Sequence, residues 1–218
     1  MMASIGSEGS NAFTGDDQTC YVEDIPSNEI ATWARVQSDR FRNMVIRGFH
    51  TELEAVYEEY NISLSRDMDK MWTALSKKLF PNHPYGTQTT IGTQEHLKNP
   101  SIVNIKNYFH KYYVPNNIAI VMAGDFDPDN VIAIIEKYFG DWKPSQRVDR
   151  PEYAPVPNLT HHVDTTVVGQ EAENVLIAWK FDRGASLQID TLDVISYILS
   201  NGKAGLFYVD LNIPLKVM

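Results

Sequence analysis

Residues 50–61, HTELEAVYEEYN, place four carboxylates and a histidine within twelve residues of helical sequence. Side chains of these types do two kinds of chemistry on a helix: they solvate a face, or they ligate metal. A charge run read on its own is a solvated face. Metal ligation by a helical His/Glu motif needs His-Glu-x-x-His or its inverse, His-x-x-Glu-His. The run HTELE satisfies neither, because Leu53 and Glu54 stand where the inverted motif needs Glu and His. His83, His96 and His110 lack partners at ligand spacing, and the adjacent pair His161-His162 reads as exposed.

Elements that position this run follow from periodicity. Leu53, Val56, Tyr60, Leu64, Met68, Met71, Leu75 and Leu79 step by three or four, which predicts a long amphipathic helical stretch broken once near Asn61–Ser65. Before it, NAFTGDDQTCYVEDI predicts a hairpin around a Gly-Asp-Asp turn. Ser27 is the expected N-cap of a helix with Ile30, Trp33, Ala34 and Phe41 on one face. After it, residues 80–93 read as loop and SIVNIKNYFHKYYV as a helix ended by Pro115. A buried strand over Ile118–Ala123 then leads into a helix started by Asp127-Pro128, with Gly140 at its C′ position. Pro144, Pro151, Pro155 and Pro157 mark a linker. Beyond it, NVLIAWKF (174–181) reads as a strand and SLQIDTLDVISYILS as a helix.

Composition bounds the class. The 218 residues are 43% hydrophobic and 22% charged, which fits a globular chain with one good core or a core and a half. A formal net charge of −9 argues against a nucleic-acid partner. No apolar run has the roughly 18 to 20 residues needed to span a bilayer, and MMASIGSEGSNAF has no secretory-signal pattern, so localisation stays open. The single cysteine, Cys20, excludes an internal disulfide and reads as a small buried apolar residue.

Taken in order, NAFTGDDQTCYVEDIP, ELEAVYEEYN, NHPYGTQTTIGTQEHL, YFHKYYVPNNIAIVMAGDFDPDNVIAIIEKYFGDW and ENVLIAWKF resemble the pitrilysin family of zinc metallopeptidases, which includes insulysin and the mitochondrial processing peptidase. The similarity runs from about Asn11 to about Ser200. It implies an α+β fold, LuxS/mitochondrial-processing-peptidase-like, with antiparallel sheet packed against helices and the domain incomplete at both ends. Residues 1–142 would be most of a first domain, 143–160 a linker, and 161–218 the start of a second related domain.

The resemblance also gives the carboxylates candidate roles. The family's Glu-x-x-x-Val-x-x-Glu element is matched by Glu52, Val56 and Glu59. Glu59 takes the place of the third zinc ligand and Glu52 that of the supporting acidic residue, whereas Glu54 and Glu58 remain solvating. The family's two histidine ligands and its general-base glutamate lie upstream of the segment matching Asn11, so the chain is expected to be part of a zinc endopeptidase acting on oligopeptides or unfolded segments. Zn2+ would belong to the intact parent and not be retained by this chain alone. The strand matching NAFT pairs with peptide substrate in the family, which implies substrate contacts for Asn11, Ala12 and Phe13. Expected partners are peptide, the upstream segment, and a second half in the same polypeptide or a partner subunit. Open edges also make self-association an expectation. The alternative is a non-catalytic pitrilysin-like scaffold or interaction subunit. Ala204-Gly205-Leu206 departs from the family's Gly-rich turn and Ser-Arg-Leu, which bears on the second domain.

Overall fold

The computed structural model describes residues 2–145, 148, 150–181 and 188–214. These divide into two compact units, Met1–Val175 and Leu176–Met218. The expected hairpin forms, with β1 (Gly9–Thr14) antiparallel to β2 (Thr19–Asp24) and Phe13 opposite Cys20. Helices follow: α1 (Ile30–Arg42), α2 (Phe49–Ser65), α3 (Asp67–Leu79), α4 (Pro84–Thr87), α5 (Gln94–Lys98), α6 (Ile102–Tyr112) and α7 (Pro128–Phe139). The described part of the second unit holds α8 (Gln188–Leu199) and short 3-10 and π turns. Helix thus dominates beside one small antiparallel sheet.

The core of the first unit lies where α1 packs on α7, around Ile30, Ala34 and Val131. Arg42, at the end of α1, locks the C-terminal ends of both helices. Its Nη2 donates to the Tyr138 carbonyl and to Asp141 Oδ1, each at 2.6 Å. The guanidinium therefore holds the Asp141 carboxyl below the usual carboxylate range. Asp127 caps α7 by accepting from the Asn130 N–H at 2.8 Å.

The hairpin is joined to α1 and α6 by aromatic rings. Tyr21 meets Phe41 edge-on at 5.2 Å, and Tyr113 stacks on Phe41 at 6.1 Å and on Phe109 at 4.5 Å. The Tyr21 and Tyr113 hydroxyls share a hydrogen bond of 3.0 Å. Burial first, and then that bond, push the Tyr113 phenol up to about 12. A raised folded-state pKa contributes stability that is whole below the unfolded value near 10 and is lost as pH rises through the folded value. Alkaline titration followed by tyrosinate absorbance is expected to show one phenol ionising near 12, together with falling stability above pH 10. Tyr113→Phe should remove that phenol and flatten the stability loss; an unchanged titration curve would refute the assignment.

Several sequence expectations need correction. Ser27 lies in a 3-10 turn (Ser27–Glu29) ahead of α1 and does not cap it; the N-cap position is Glu29, without a side-chain bond. The break in the long amphipathic stretch falls at Arg66, whose extended backbone (φ −85, ψ 124) separates α2 from α3. That break changes the helical phase, so Leu64 and Met68 on either side are exposed at 51% and 42%. Pro115 opens a 3-10 turn after α6 has already ended at Tyr112. Gly140 is the C-cap of α7 in right-handed conformation and not a left-handed C′ residue. Cys20 is half-buried.

The two strands expected at 118–123 and 174–181 do not form ladders. Among the described residues neither segment has a strand beside it, and an apolar run becomes a buried strand only when neighbours take up its N–H and C=O groups. Val121, Val175 and Trp179 consequently stand 90%, 87% and 70% exposed. Helix 102–112 forms as expected, although Ile102 and Ile105 on its anticipated inner face are exposed. Ser186 and Leu187 of the last expected helix, and residues 215–218, lie outside the described residues.

Candidate functional site

Helix α2 starts at Gly48, whose left-handed backbone (φ +63) turns the chain out of the preceding loop. Glu52 sits in the first turn, where a carboxylate interacts favourably with the helix dipole. The half-buried face of α2 carries Leu53, Val56, Tyr57 and Tyr60, and Tyr57 Oη accepts from Gln94 Nε2 of α5 at 2.9 Å.

All four carboxylates of the run are exposed, and none makes a hydrogen bond or ion pair among the described residues. Exposure therefore does not separate Glu52 and Glu59 from Glu54 and Glu58. Helical phase does. At about 100° per residue, Glu52 and Glu59 lie within about 20° of one another around the axis, on the edge of the covered face beside Val56, whereas Glu54 borders its opposite edge beside Tyr57 and Glu58 points furthest away. A neighbouring element packed along the Val56 edge would meet Glu52 and Glu59 together.

Along the axis those two residues are about 10 Å apart. Even together they would supply two carboxylates, short of the three protein ligands of a catalytic zinc site. No group of three or more His, Cys, Asp or Glu able to hold a metal occurs among the described residues. A zinc site with three protein ligands is not assembled among the described residues. Of the histidines, His83 turns its Nδ1 to accept the Tyr85 N–H as an N-cap, and His162 Nε2 lies 2.6 Å from Asp164 Oδ1.

Asn11, Ala12 and Phe13 occupy β1, all exposed. The turn bond from Gly15 N–H to the Gln18 carbonyl, 2.8 Å, sets the ladder's phase. Alternation from that pair assigns Phe13–Cys20 and Asn11–Val22 to hydrogen-bonded pairs. The N–H and C=O of Ala12 therefore face away from β2, toward an edge that no strand covers among the described residues. In the present structure the outward Ala12 N–H donates to the Asn11 side-chain oxygen at 2.8 Å. Such an edge can pair with an extended peptide irrespective of its side chains.

Sequence reasoning passed over two buried carboxylates. Glu23 of β2 takes hydrogen bonds from Trp33 and Gln37 of α1, and Asp67 opens α3 buried among backbone N–H groups. Glu23 had a signal: it is two residues from Tyr21 in a strand, hence on the same inward face, where a charge demands a partner. For Asp67, whose partners lie 103 and 104 residues away, local sequence carried none.

No helix of the described residues is long and apolar enough to cross a membrane. Residues 102–212, just over half of the chain, match the model described as the peptidase M16 inactive domain. Among curated relatives, the chain is 28% identical over 148 residues to the uncharacterised zinc protease YmxG of Bacillus subtilis, covering 66% of this chain and 36% of that one. It is 27% identical over 199 residues to a zinc protease PQQL-like of Arabidopsis thaliana, covering 82% and 20%. Among solved structures, a protease from Helicobacter pylori superposes with a TM-score of 0.64 at 21% identity, covering 69% and 37%. The first half of the periplasmic protease PqqL of Escherichia coli gives 0.62 at 18%, covering 71% and 34%. The chain thus spans about a third of the length of the first curated relatives it matches. The family match places the chain in the peptidase M16, or pitrilysin, family.

Proposed function

We propose that this chain is part of a zinc-dependent endopeptidase that hydrolyses oligopeptides or unfolded segments. The observation that carries the reading is the free Glu52–Val56–Glu59 stripe of α2, in a family whose named relatives are zinc proteases. In this reading Glu59 is a zinc ligand completed by histidines from elsewhere in the whole protein, and Glu52 orients the site. Zinc, when bound, would supply Lewis-acid polarisation of the scissile carbonyl and a water of lowered pKa. Residues 1–142 would be a first domain of LuxS/mitochondrial-processing-peptidase-like type, 143–160 the link, and 161–218 the start of the second.

The open edge of β1 would hold the peptide through Ala12, flanked by Asn11 and Phe13. Proline is tolerated on an edge strand whose N–H faces outward, so Ala12→Pro should keep the hairpin while removing one peptide hydrogen bond. The expected result is roughly a tenfold rise in KM for an unfolded peptide, with unchanged thermal stability. An unchanged KM would remove β1 from the substrate site.

The match to an inactive domain over 102–212 favours the second reading, a non-catalytic scaffold. Zinc content and peptide cleavage by the protein purified from its source decide between them. One zinc per chain with chelator-sensitive cleavage supports the peptidase; absence of both establishes the scaffold.

A further inference from the structure

Residues 143–175 contain no helix or strand among those described, yet they are fastened to the first unit at separate points. Ser145 and Asn116 exchange two hydrogen bonds of 3.1 Å, one through the Asn116 amide nitrogen and one through its oxygen. Tyr153 packs edge-on against the His83 ring at 4.9 Å. The third attachment is the strongest. Asp67, only 7% exposed, accepts the backbone N–H of Gln170 at 2.6 Å and of Glu171 at 2.7 Å on one oxygen, and Lys70 Nζ at 2.8 Å on the other. The Asp67 N–H in turn reaches Glu171 Oε1 at 3.4 Å.

We propose that Asp67 is a latch that fixes the far end of the 143–175 strap to the N-terminus of α3, and so sets where the chain leaves the first compact unit. Three features argue for a built contact over a chance one. Charge-assisted bonds from two successive N–H groups to one carboxylate oxygen are short and among the stronger kinds. A buried carboxylate is retained only where its lone pairs are met, and here the strap meets them. Position 169 also has to be glycine: a Cβ there would stand 1.9 Å from Asp67 Oδ2 and 2.1 Å from Cγ. The Lys70 ammonium first, and the Glu171 N–H next, hold the Asp67 carboxyl below its ordinary value, so the latch is charged and closed at neutral pH. Because α1 packs directly on α7, release of the strap is expected to be local.

Hydrogen exchange on the full chain tests the latch. Asp67→Ala should speed exchange at Gln170 and Glu171, and at neighbouring strap amides, by about tenfold or more, while α1 and α7 keep their protection. Gly169→Ala, which leaves the carboxylate in place but puts a methyl against it, should open the same amides. Lys70→Met keeps both strap bonds and should have the smaller effect. Because both act on one contact, the Asp67→Ala/Gly169→Ala double variant should be no faster than the worse single. Unchanged protection at 170–171 in Asp67→Ala, or additive effects in the double variant, would overturn the latch. If Asp67→Ala fails to fold, the Gly169→Ala and Lys70→Met pair decides: equal exchange in the two refutes it.

Discussion

On the proposed peptidase reading, Glu59→Gln is expected to strip zinc from the whole protein and abolish its peptide cleavage, while Glu58→Gln leaves both intact. The pair is informative because the two carboxylates are chemically alike and equally exposed on α2. Neither makes a hydrogen bond or ion pair among the described residues, so neither change disturbs the fold. They differ in helical phase alone: Glu59 borders the covered face beside Val56, and Glu58 points to the far side. An amide keeps the shape of the carboxylate but loses the anionic oxygen that zinc requires. Glu52→Gln should fall between them, with about 10- to 100-fold loss in zinc affinity or activity, the range for a residue that orients a ligand. Zinc per chain after dialysis, together with kcat on an unfolded peptide, reads all three. Equal loss in the 58 and 59 variants would show that bulk charge on α2 matters, and the ligand assignment would fail.

Local signals in the sequence carried most of the helices and the hairpin. The Gly-Asp-Asp turn with Thr, Cys, Tyr and Val alternating around it placed β1 and β2, because a hairpin needs nothing beyond its own residues to find its register. The Asp127-Pro128 start of α7 was legible for the same reason: cap and first turn lie within four residues. What failed was non-local. The runs at 118–123 and 174–181 have strand composition, but a strand's hydrogen bonds belong to its neighbour, and composition does not supply one. Phase errors at Ser27, Arg66 and Gly140 are boundary effects, where one residue's backbone decides between capping geometries.

The candidate site divides along the same line. The spacing of Glu52 and Glu59 is a helix property, so the structure finds them on one stripe. The outward direction of Ala12 follows from register and was reachable once the turn was known. The clamp of Asp67 on Gln170 and Glu171 joins points more than a hundred residues apart, and only the folded chain brings them together.

Glu23→Ala is expected to be the most damaging single substitution for stability in the first unit. The Glu23 side chain is 7% exposed and accepts Gln37 Nε2 on both oxygens, at 2.7 and 2.6 Å, as well as the Trp33 indole N–H. Arg40 Nη1 stands 3.7 Å away and also donates to Gln37 Oε1 at 3.3 Å, so a cation completes the cluster. Gln37 is itself only 3% exposed. Removing the carboxylate leaves an indole N–H and an amide without acceptors in a site that water reaches poorly. Each such donor costs about 1–3 kcal/mol, which gives roughly 3–5 kcal/mol for the cluster. That is a large part of a typical domain's 5–15 kcal/mol, and should lower the urea midpoint by about 1–2 M. Glu23→Gln keeps one oxygen to accept but turns an NH₂ toward Gln37, so its loss should be about half. Because β2 and α1 are joined chiefly by this cluster and the Tyr21–Phe41 contact, the hairpin should detach first, seen as lost protection in β2 ahead of α7. Equal midpoints for Glu23→Ala and the unaltered chain would mean that the aromatic contacts alone hold the hairpin to α1.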